Sequence, residues 1–491
     1  MAVKAGRIVG GFAWVMTGEG LKTALQLVLL FVLARLLTPH DFGVLALLMI
    51  PTGFIEIFAN MGTRQALIQR PVITSDHLST SFYLNVASGF LIWGLLVAAS
   101  GPIAVFFRAP EVEALLPVMG VIFPIKALSL TSQAVLYRNL GFRKLTMIDL
   151  LGFTVGNFSV ALLMAWLGYG VWALVFALVA QTTISTVAQI AHVRHPLCLR
   201  ISPAAAKELL SYGGWISVGQ IANFLGNKGD NLIVGRYFDA AALGIYTRAF
   251  GIAMLPLNLV GSSINTVLFP AMAEAQHDSD QLRQIFSRAI AAVGMVVLPA
   301  SVVAAVLANE LVLVVLGAQW QEVVLPFQIL IAITYFRTSY KIDECLSKAV
   351  GKVRLNAGQH ILYGAMVIAL SFAGKPWGIA GVAGGVVTAI LLNFVYRRIS
   401  SLRLLDLGWR DIVHEYLPAI VLAIPLGAAA GIARHLGVEL EWPAWGTLLL
   451  AAAVMPPVFG AAFLGMRRLG LADDLIWFYA RIRGRMKPRA A

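Results

Sequence analysis

Long apolar runs separated by short polar breaks cover most of the chain. A hydrocarbon core of roughly 30 Å takes about 20 mostly apolar residues as helix. That ruler finds fourteen candidate spans, near 12–34, 42–63, 79–107, 114–137, 147–167, 171–193, 209–235, 241–267, 289–317, 323–347, 357–373, 378–396, 414–433 and 444–466. The pattern predicts an all-α polytopic membrane protein with about 14 transmembrane helices. The ninth run is long for one span, and Pro299 is expected to kink or split it. Lys4 and Arg7 precede a first run too long and too polar-studded for the apolar part of a cleavable signal peptide, so none is expected.

The basic residues set the orientation. With the N-terminus inside, 26 of the 37 Lys and Arg fall on the inner side, among them Arg397 and Arg398, read as loop residues after the twelfth span. Five lie outside (Arg35, Arg108, Arg236, Lys375, Arg434), and six fall within spans (Lys22, Lys126, Lys228, Arg248, Arg337, Lys341). This is the positive-inside bias, and an even number of spans puts both termini in the cytoplasm. Composition narrows the class further. The chain is 59% hydrophobic and 12% charged, against about 25% charged in soluble domains. A soluble enzyme, a disordered chain and a fibre are excluded. Basic cytoplasmic loops account for the net charge of +13, so no nucleic-acid partner is expected. Cys198 and Cys345 are too few for a disulfide scaffold. Gly351-Lys352 and Gly374-Lys375 run on into Val353 and Pro376 rather than Ser or Thr, which excludes a Walker A loop. No zinc-binding His pair occurs, and no metal or cofactor is expected.

An internal repeat organises the spans. Arg35-Leu36-Leu37-Thr38-Pro39-His40-Asp41-Phe42-Gly43-Val44 matches Arg236-Tyr237-Phe238-Asp239-Ala240-Ala241-Ala242-Leu243-Gly244-Ile245 with the same Arg-to-Gly spacing. The copies are offset by six spans, so both enter the membrane in the same direction. Two parallel six-helix lobes follow, residues 1–200 and 201–396, with a central cavity between them. Transmembrane helices 13 and 14 (397–467) are an addition, and residues 468–491 suit a basic amphipathic cytoplasmic tail.

Polar residues inside the spans are the candidate chemistry. The seventh span carries Ser217, Gln220, Asn223, Asn227 and Asp230 at helical spacing, and the first carries Glu19, Lys22 and Gln26. The fourth carries Lys126, Ser129, Gln133 and Tyr137, and the tenth Arg337, Lys341 and Glu344, with Asp343 pointing elsewhere. Each charge at the membrane centre costs roughly 2.5–3.5 kcal/mol when it faces lipid, so a shared hydrated cavity is the expected destination. Lys22, Lys126, Lys228, Arg337 and Lys341 are the basic residues such a cavity would gather, with Arg64 and Arg138 at its cytoplasmic rim. Arg337 and Lys341, like charges four apart, are the foremost of these for phosphate. Glu19, Asp230 and Glu344 are candidate coupling or structural acids. Glu19 with Lys22, and Lys341 with Glu344, also fit structural ion pairs. Gln220, Asn223, Asn227 and Gln133 are candidate glycan contacts, though such amides also bond between helices. Glu56 and Asp343 bring the acids away from the span ends to five, against six bases, so charge alone leaves the substrate open. Asp149 lies near an interface.

Several segments carry a family resemblance. Leu33-Ala34-Arg35-Leu36-Leu37-Thr38-Pro39-His40-Asp41-Phe42-Gly43 with Ala66-Leu67-Ile68-Gln69-Arg70 resembles the polysaccharide transporter family of bacterial flippases. So do Tyr137-Arg138-Asn139-Leu140-Gly141-Phe142-Arg143-Lys144, Gly170-Val171-Trp172-Ala173-Leu174-Val175, Asp230-Asn231-Leu232-Ile233-Val234-Gly235-Arg236 and Leu268-Phe269-Pro270. The resemblance runs over about the first 350 residues and points to the branch of exopolysaccharide exporters that includes the colanic acid exporter, in the superfamily that also holds multidrug antiporters. It implies a flippase, not an enzyme, moving polyprenyl-diphosphate-linked oligosaccharide repeat units across the bacterial inner membrane by alternating access, and it makes Lys22, Lys126, Lys228, Arg337 and Lys341, with Arg64 and Arg138, the candidates by location for engaging the diphosphate. It also implies membrane lipids as surroundings, with a polysaccharide polymerase and glycosyltransferases as partner proteins. A monomer is expected. The alternative is a cation-coupled multidrug antiporter on the same scaffold, which would want a cavity dominated by carboxylates.

Overall fold

The computed structural model describes residues 2–59, 63–70, 72–193, 202–255, 257 and 264–468. Side chains are described from Trp14 on, except at 59, 204–219, 222 and 265–266. Ser217, Cys198, the expected 200/201 lobe boundary and the expected tail helix beyond Arg468 lie outside those described positions. Among the described residues there is no strand. Within the same described residues, eleven stretches are long and apolar enough to cross a membrane. One of them, Val353–Leu405, holds two of the expected spans. The helices Pro203–Tyr237 and Ala240–Ala253 hold the seventh and eighth, one too polar and one too short to pass that test alone. The fourteen runs are thereby accommodated in a multi-pass, all-α membrane protein.

Contacts divide the chain into two units, Met1–Gly244 and Ile245–Ala491. The first contains α1 (Ala2–Leu36), α2 (Pro39–Ala59), α3 (Thr63–Gln69), α4 (Ser75–Phe107), α5 (Glu111–Gly120), α6 (Ile122–Arg138), α7 (Phe142–Leu151), α8 (Val160–Trp166), α9 (Val171–His192) and α10 (Pro203–Tyr237), and the start of α11 (Ala240–Ala253). Between α7 and α8 the helix widens to π geometry over Gly152–Ser159. α6 packs between α4 and α9, α10 packs on α2 and α4, and α1 lies on α7. On α4 the polar residues Ser79, Thr80, Ser81 and Asn85 are buried, while Leu91, Leu95 and Val105 are exposed. Asn85 accepts from the Thr63 hydroxyl at 2.8 Å and donates to the Ser81 hydroxyl at 3.3 Å. In lipid, hydroxyls and amides hold helices together while apolar side chains face the solvent, which is the order seen here.

The repeated motif folds as two equivalent helix starts. α1 ends at Leu36 and α2 begins at Pro39, just as α10 ends at Tyr237 and α11 begins at Ala240. The Asp41 carboxylate accepts from the Thr38 N–H at 2.9 Å. At the start of α11 the Asp239 carboxylate, in the place of Thr38, accepts from the Ala242 N–H at 2.7 Å. The two copies also touch reciprocally. A Cβ on Gly43 would lie 1.6 Å from the Ala240 carbonyl oxygen, and one on Gly244 would lie 1.9 Å from that of Pro39. Pro39 and Ala240 hold the same position in the repeat, so glycine is required once in each copy for the same contact.

The second unit continues with α12 (Phe269–Glu274), α13 (Ser279–Val306), α14 (Ala308–Val315), α15 (Val324–Ala332), α16 (Thr334–Ala349), α17 (Val353–Gly374), α18 (Gly378–Leu405), α19 (Trp409–Val413), α20 (Leu417–Glu439) and α21 (Ala444–Arg468). The ninth run does split, but at Leu307 (φ −92°, ψ 20°) rather than at Pro299, which α13 carries inside it. The core sets Ile285, Phe286, Ile290, Val293 and Val297 of α13 against Ile342, Cys345 and Leu346 of α16. α20 runs along α13, burying Ala419, Ala423, Ala430 and Ala433. Small residues let helix backbones approach closely, so the thirteenth span is built into this unit's core. Trp442 and Trp445, exposed between α20 and α21, suit a membrane-interface belt.

Candidate functional site

Two groups of polar side chains stand out, one in each unit. In the first unit, α2, α5, α6, α7 and α9 line an open cavity of about 430 Å³. Its lining combines neutral donors and acceptors (Thr52, Ser129, Gln133, Gln181, Thr182, Ser185, Thr186 and Gln189) with three charges (Glu56, Lys126 and Asp149) and an apolar part of Met49, Met119, Ile122, Phe123, Leu130 and Leu178. Lys126 Nζ of α6 bonds Glu56 Oε1 of α2 at 2.5 Å. Arg64 donates from Nη1 to Gln133 Oε1 at 3.0 Å and lies over the Tyr137 ring at 5.8 Å. Ser129 and Thr186 hydroxyls meet at 3.3 Å across α6 and α9. The π-helical segment braces the same wall, with Asn157 donating to Gln181 Oε1 at 2.8 Å. Asp149 also lines a smaller adjoining cavity of about 170 Å³, together with Glu19, Lys22 and Tyr137. The polar faces of the first and fourth spans therefore open into two cavities that share one carboxylate.

The pair across this cavity is a solvated one, its side chains 39% and 49% exposed. A double-mutant cycle of Glu56→Gln and Lys126→Met, read by thermal unfolding, is expected to return a coupling below about 1 kcal/mol. A coupling of about 3 kcal/mol or more would mean that the pair is desolvated and the cavity dry.

Other expected residues fall elsewhere. Arg138 donates to the carbonyls of Leu67 (3.2 Å) and Arg70, tying the end of α6 to the segment after α2. On α10, Lys228 and Gln220 are exposed, while Asp230 is buried and its carboxylate accepts from the Asn231 N–H at 2.8 Å. Asn227 donates to the Asn223 side chain at 2.9 Å.

The second group lies in the second unit, on α16, α17 and α18. Arg337 is buried with its guanidinium 4.9 Å from the centre of the Phe250 ring. Lys341, its expected companion, bonds Glu344 Oε2 at 3.0 Å. Lys348 bonds Glu344 Oε1 at 2.7 Å, and His360 Nε2 of α17 lies 3.5 Å from the same oxygen. Arg397 and Arg398 are not loop residues. α18 continues to Leu405, and both arginines are buried inside the unit. Successive helical positions point about 100° apart, so the two reach different partners. Arg398 donates to Asp343 Oδ2 at 3.1 Å, to the Ser339 hydroxyl at 2.8 Å and to the Tyr416 hydroxyl at 3.1 Å. Arg397 donates to Asn393 Oδ1 at 3.1 Å and Asn356 Oδ1 at 2.9 Å.

Sequence reasoning passed over three features. The α9 stripe was visible as polar residues at steps of four: 181, 185 and 189 beside 182 and 186. Asp149 reads from the sequence as interfacial, yet it lines both cavities. For the buried arginines the signal was Asp343, an acid off the polar face of its own helix with no partner there.

Comparisons with known proteins bear on this geometry. Residues 32–325 match the family described as "Polysaccharide biosynthesis protein". The chain is 24% identical over 442 residues to the lipopolysaccharide biosynthesis protein WzxC of Escherichia coli K12, covering 86% of this chain and 88% of that one. It is 25% identical over 319 residues to the succinoglycan biosynthesis transport protein ExoT of Rhizobium meliloti 1021, covering 65% and 64%. The lipid II flippase MurJ in an inward closed conformation superposes with a TM-score of 0.72 at 14% identity, over 93% of this chain and 99% of that one. At that identity the likeness establishes the fold.

Proposed function

The chain belongs to the polysaccharide biosynthesis protein family, and on that premise we propose that it is a flippase for polyprenyl-diphosphate-linked oligosaccharide repeat units. It acts in the bacterial inner membrane with both termini cytoplasmic, and it makes or breaks no covalent bond in its cargo. The observation that carries this reading is the first unit's cavity. Eight hydroxyl and amide side chains in its lining, beside the Lys126–Glu56 pair, suit a polyhydroxylated head group, since each sugar hydroxyl both donates and accepts. A cavity of about 430 Å³ also falls within the usual 300–1,000 Å³ of small-molecule sites. On this reading Gln133 and the α9 stripe contact sugar, Lys126 and Arg64 meet the acidic end of the head group, and Glu19, Asp149 and Asp230 are the acids available for coupling. The lobes 1–200 and 201–396 rock in alternation while the lipid tail stays in the bilayer. Polymerase and glycosyltransferases are the partner proteins, and the transporter itself is a monomer.

Deleting the gene in its native host, with lipid extraction and surface-polysaccharide analysis, tests this. The expected result is accumulation of a diphosphate-linked oligosaccharide lipid and loss of one surface glycan. Unchanged lipids and glycans with raised sensitivity to cationic drugs would sink the flippase reading and favour an antiporter using Glu56 and Asp149.

A further inference from the structure

The first unit's cavity treats its three glutamines unequally. Gln133 Oε1 accepts from Arg64 Nη1 at 3.0 Å. A guanidinium has donors only, so this bond fixes the amide with its NH2 group left to donate. Gln181 is held in the same sense, its Oε1 accepting from Asn157 at 2.8 Å. Gln189 is the reverse case. It lines the cavity and is only 4% exposed, yet among the described residues its Oε1 has no hydrogen-bond partner. Leaving a buried acceptor unsatisfied is costly, so this oxygen asks for a donor from a ligand.

Packing sets Gln133 beside Gln189. The Ser129 and Thr186 hydroxyls meet at 3.3 Å, and the Ser132 hydroxyl donates to the Val193 carbonyl at 3.2 Å. Both links advance along the chain together, so α6 and α9 run in the same direction with Gln133 and Gln189 at neighbouring levels of the wall. Leu130 precedes Gln133 by three positions and Leu178 precedes Gln181 by three, which puts each on the face of its glutamine, and both line the cavity. The wall therefore offers a donor, an acceptor and an apolar patch.

We propose that this wall recognises the acetamido group of an N-acetylated sugar: Gln133 donates to its carbonyl oxygen, Gln189 accepts from its N–H, and Leu130 and Leu178 pack its methyl. A secondary amide carries its donor and its acceptor on separate atoms, as two glutamines on different helices require. A sugar hydroxyl donates and accepts through one oxygen and brings no methyl for the apolar patch. A carboxylate supplies acceptors alone and leaves Gln189 unanswered. The proposal rests on the flippase reading for the source of the sugar, and it narrows the head groups which that reading admits.

The test is binding of two synthetic lipids to the purified full-length protein in nanodiscs. One is a short-chain prenyl diphosphate of N-acetylglucosamine and the other that of glucose, so they differ only at the acetamido position. The unaltered protein is expected to bind the first about tenfold more tightly. Gln189→Met removes the acceptor at similar volume. It is expected to cut the preference to about twofold while affinity for the glucose lipid stays the same. Equal affinity for both lipids in the unaltered protein would overturn the proposal. So would a preference that survives in Gln189→Met, since a merely structural Gln189 would change both affinities together and keep their ratio. Should Gln189→Met not fold, Gln133→Met decides the matter by removing the donor: a reduced ratio supports the proposal and a preserved one overturns it. Gene deletion reads transport independently. Lipid accumulation in the deletion strain, with equal binding of the two probes, leaves the flippase standing and removes only the acetamido site. Unchanged cell lipids with no binding of either probe would remove both.

Discussion

An Arg398→Ala variant is expected to lose about 3–5 kcal/mol of stability, the cost of removing one partner from a buried ion pair. The guanidinium is fully buried and lies 5.2 and 5.1 Å from the ring centres of Phe286 and Phe394. Its donors reach Asp343, Ser339 and Tyr416, so one side chain of α18 joins α16 to the turn that opens α20. Truncation leaves the Asp343 carboxylate buried beside a cavity, without the cation that hydrogen-bonds it. Asp343→Ala strands the guanidinium in the same way. The double variant Arg398→Met, Asp343→Leu removes both charges at similar volume and is expected to recover most of the loss. Thermal unfolding of the purified protein in detergent reads all three. A melting temperature for Arg398→Ala equal to that of the unaltered protein would show that the pair supports nothing.

Gly43→Ala and Gly244→Ala are each expected to cost about 1–3 kcal/mol by overpacking. The groups that a new Cβ would strike are carbonyl oxygens of helix starts, Ala240 and Pro39. Backbone cannot swing aside as a side-chain tip can, so the start of one helix must lift from the other. Because the two glycines share one contact, the double variant is expected to cost less than the sum of the singles. Gly20→Ala on α1 is the control. Nothing lies within 4 Å of that position, and alanine in a helix interior gains about 0.5–1 kcal/mol over glycine. Equal effects at Gly20 and Gly43 would mean that the close contact is not what selects glycine there.

Much of the architecture was legible because a membrane leaves few solutions. Backbone polar groups in lipid must be satisfied within the segment, so runs of about 20 apolar residues can only be helices. An all-α chain of about fourteen spans follows from that constraint, while the repeated helix start at Arg35 and Arg236 is read directly as a repeated residue pattern. Within a span, period-3.6 spacing also brought out real neighbours: Lys341 with Glu344 and Asn223 with Asn227 are contacts along one helix. Partners on different helices were not legible. Neither the pairing of Lys126 with Glu56, 70 positions away, nor that of Arg398 with Asp343, 55 positions away, leaves a local pattern. The reach of α18 past its apolar run was equally hidden, since hydropathy ends a span at the first arginines whether they enter water or the protein interior.

The sequence by itself determined that this is a helical multi-pass protein with an internal repeat and polar faces on particular spans, because spacing along one helix is a local property. Tertiary structure alone decided which of those faces meet. It set the α9 hydroxyls beside Lys126, put Asp149 between two cavities, buried Arg397 and Arg398, and brought Lys341, Lys348 and His360 around Glu344. The physical reason is that a buried charge must find its counter-charge through space, and the helix that supplies it is chosen by packing rather than by order along the chain.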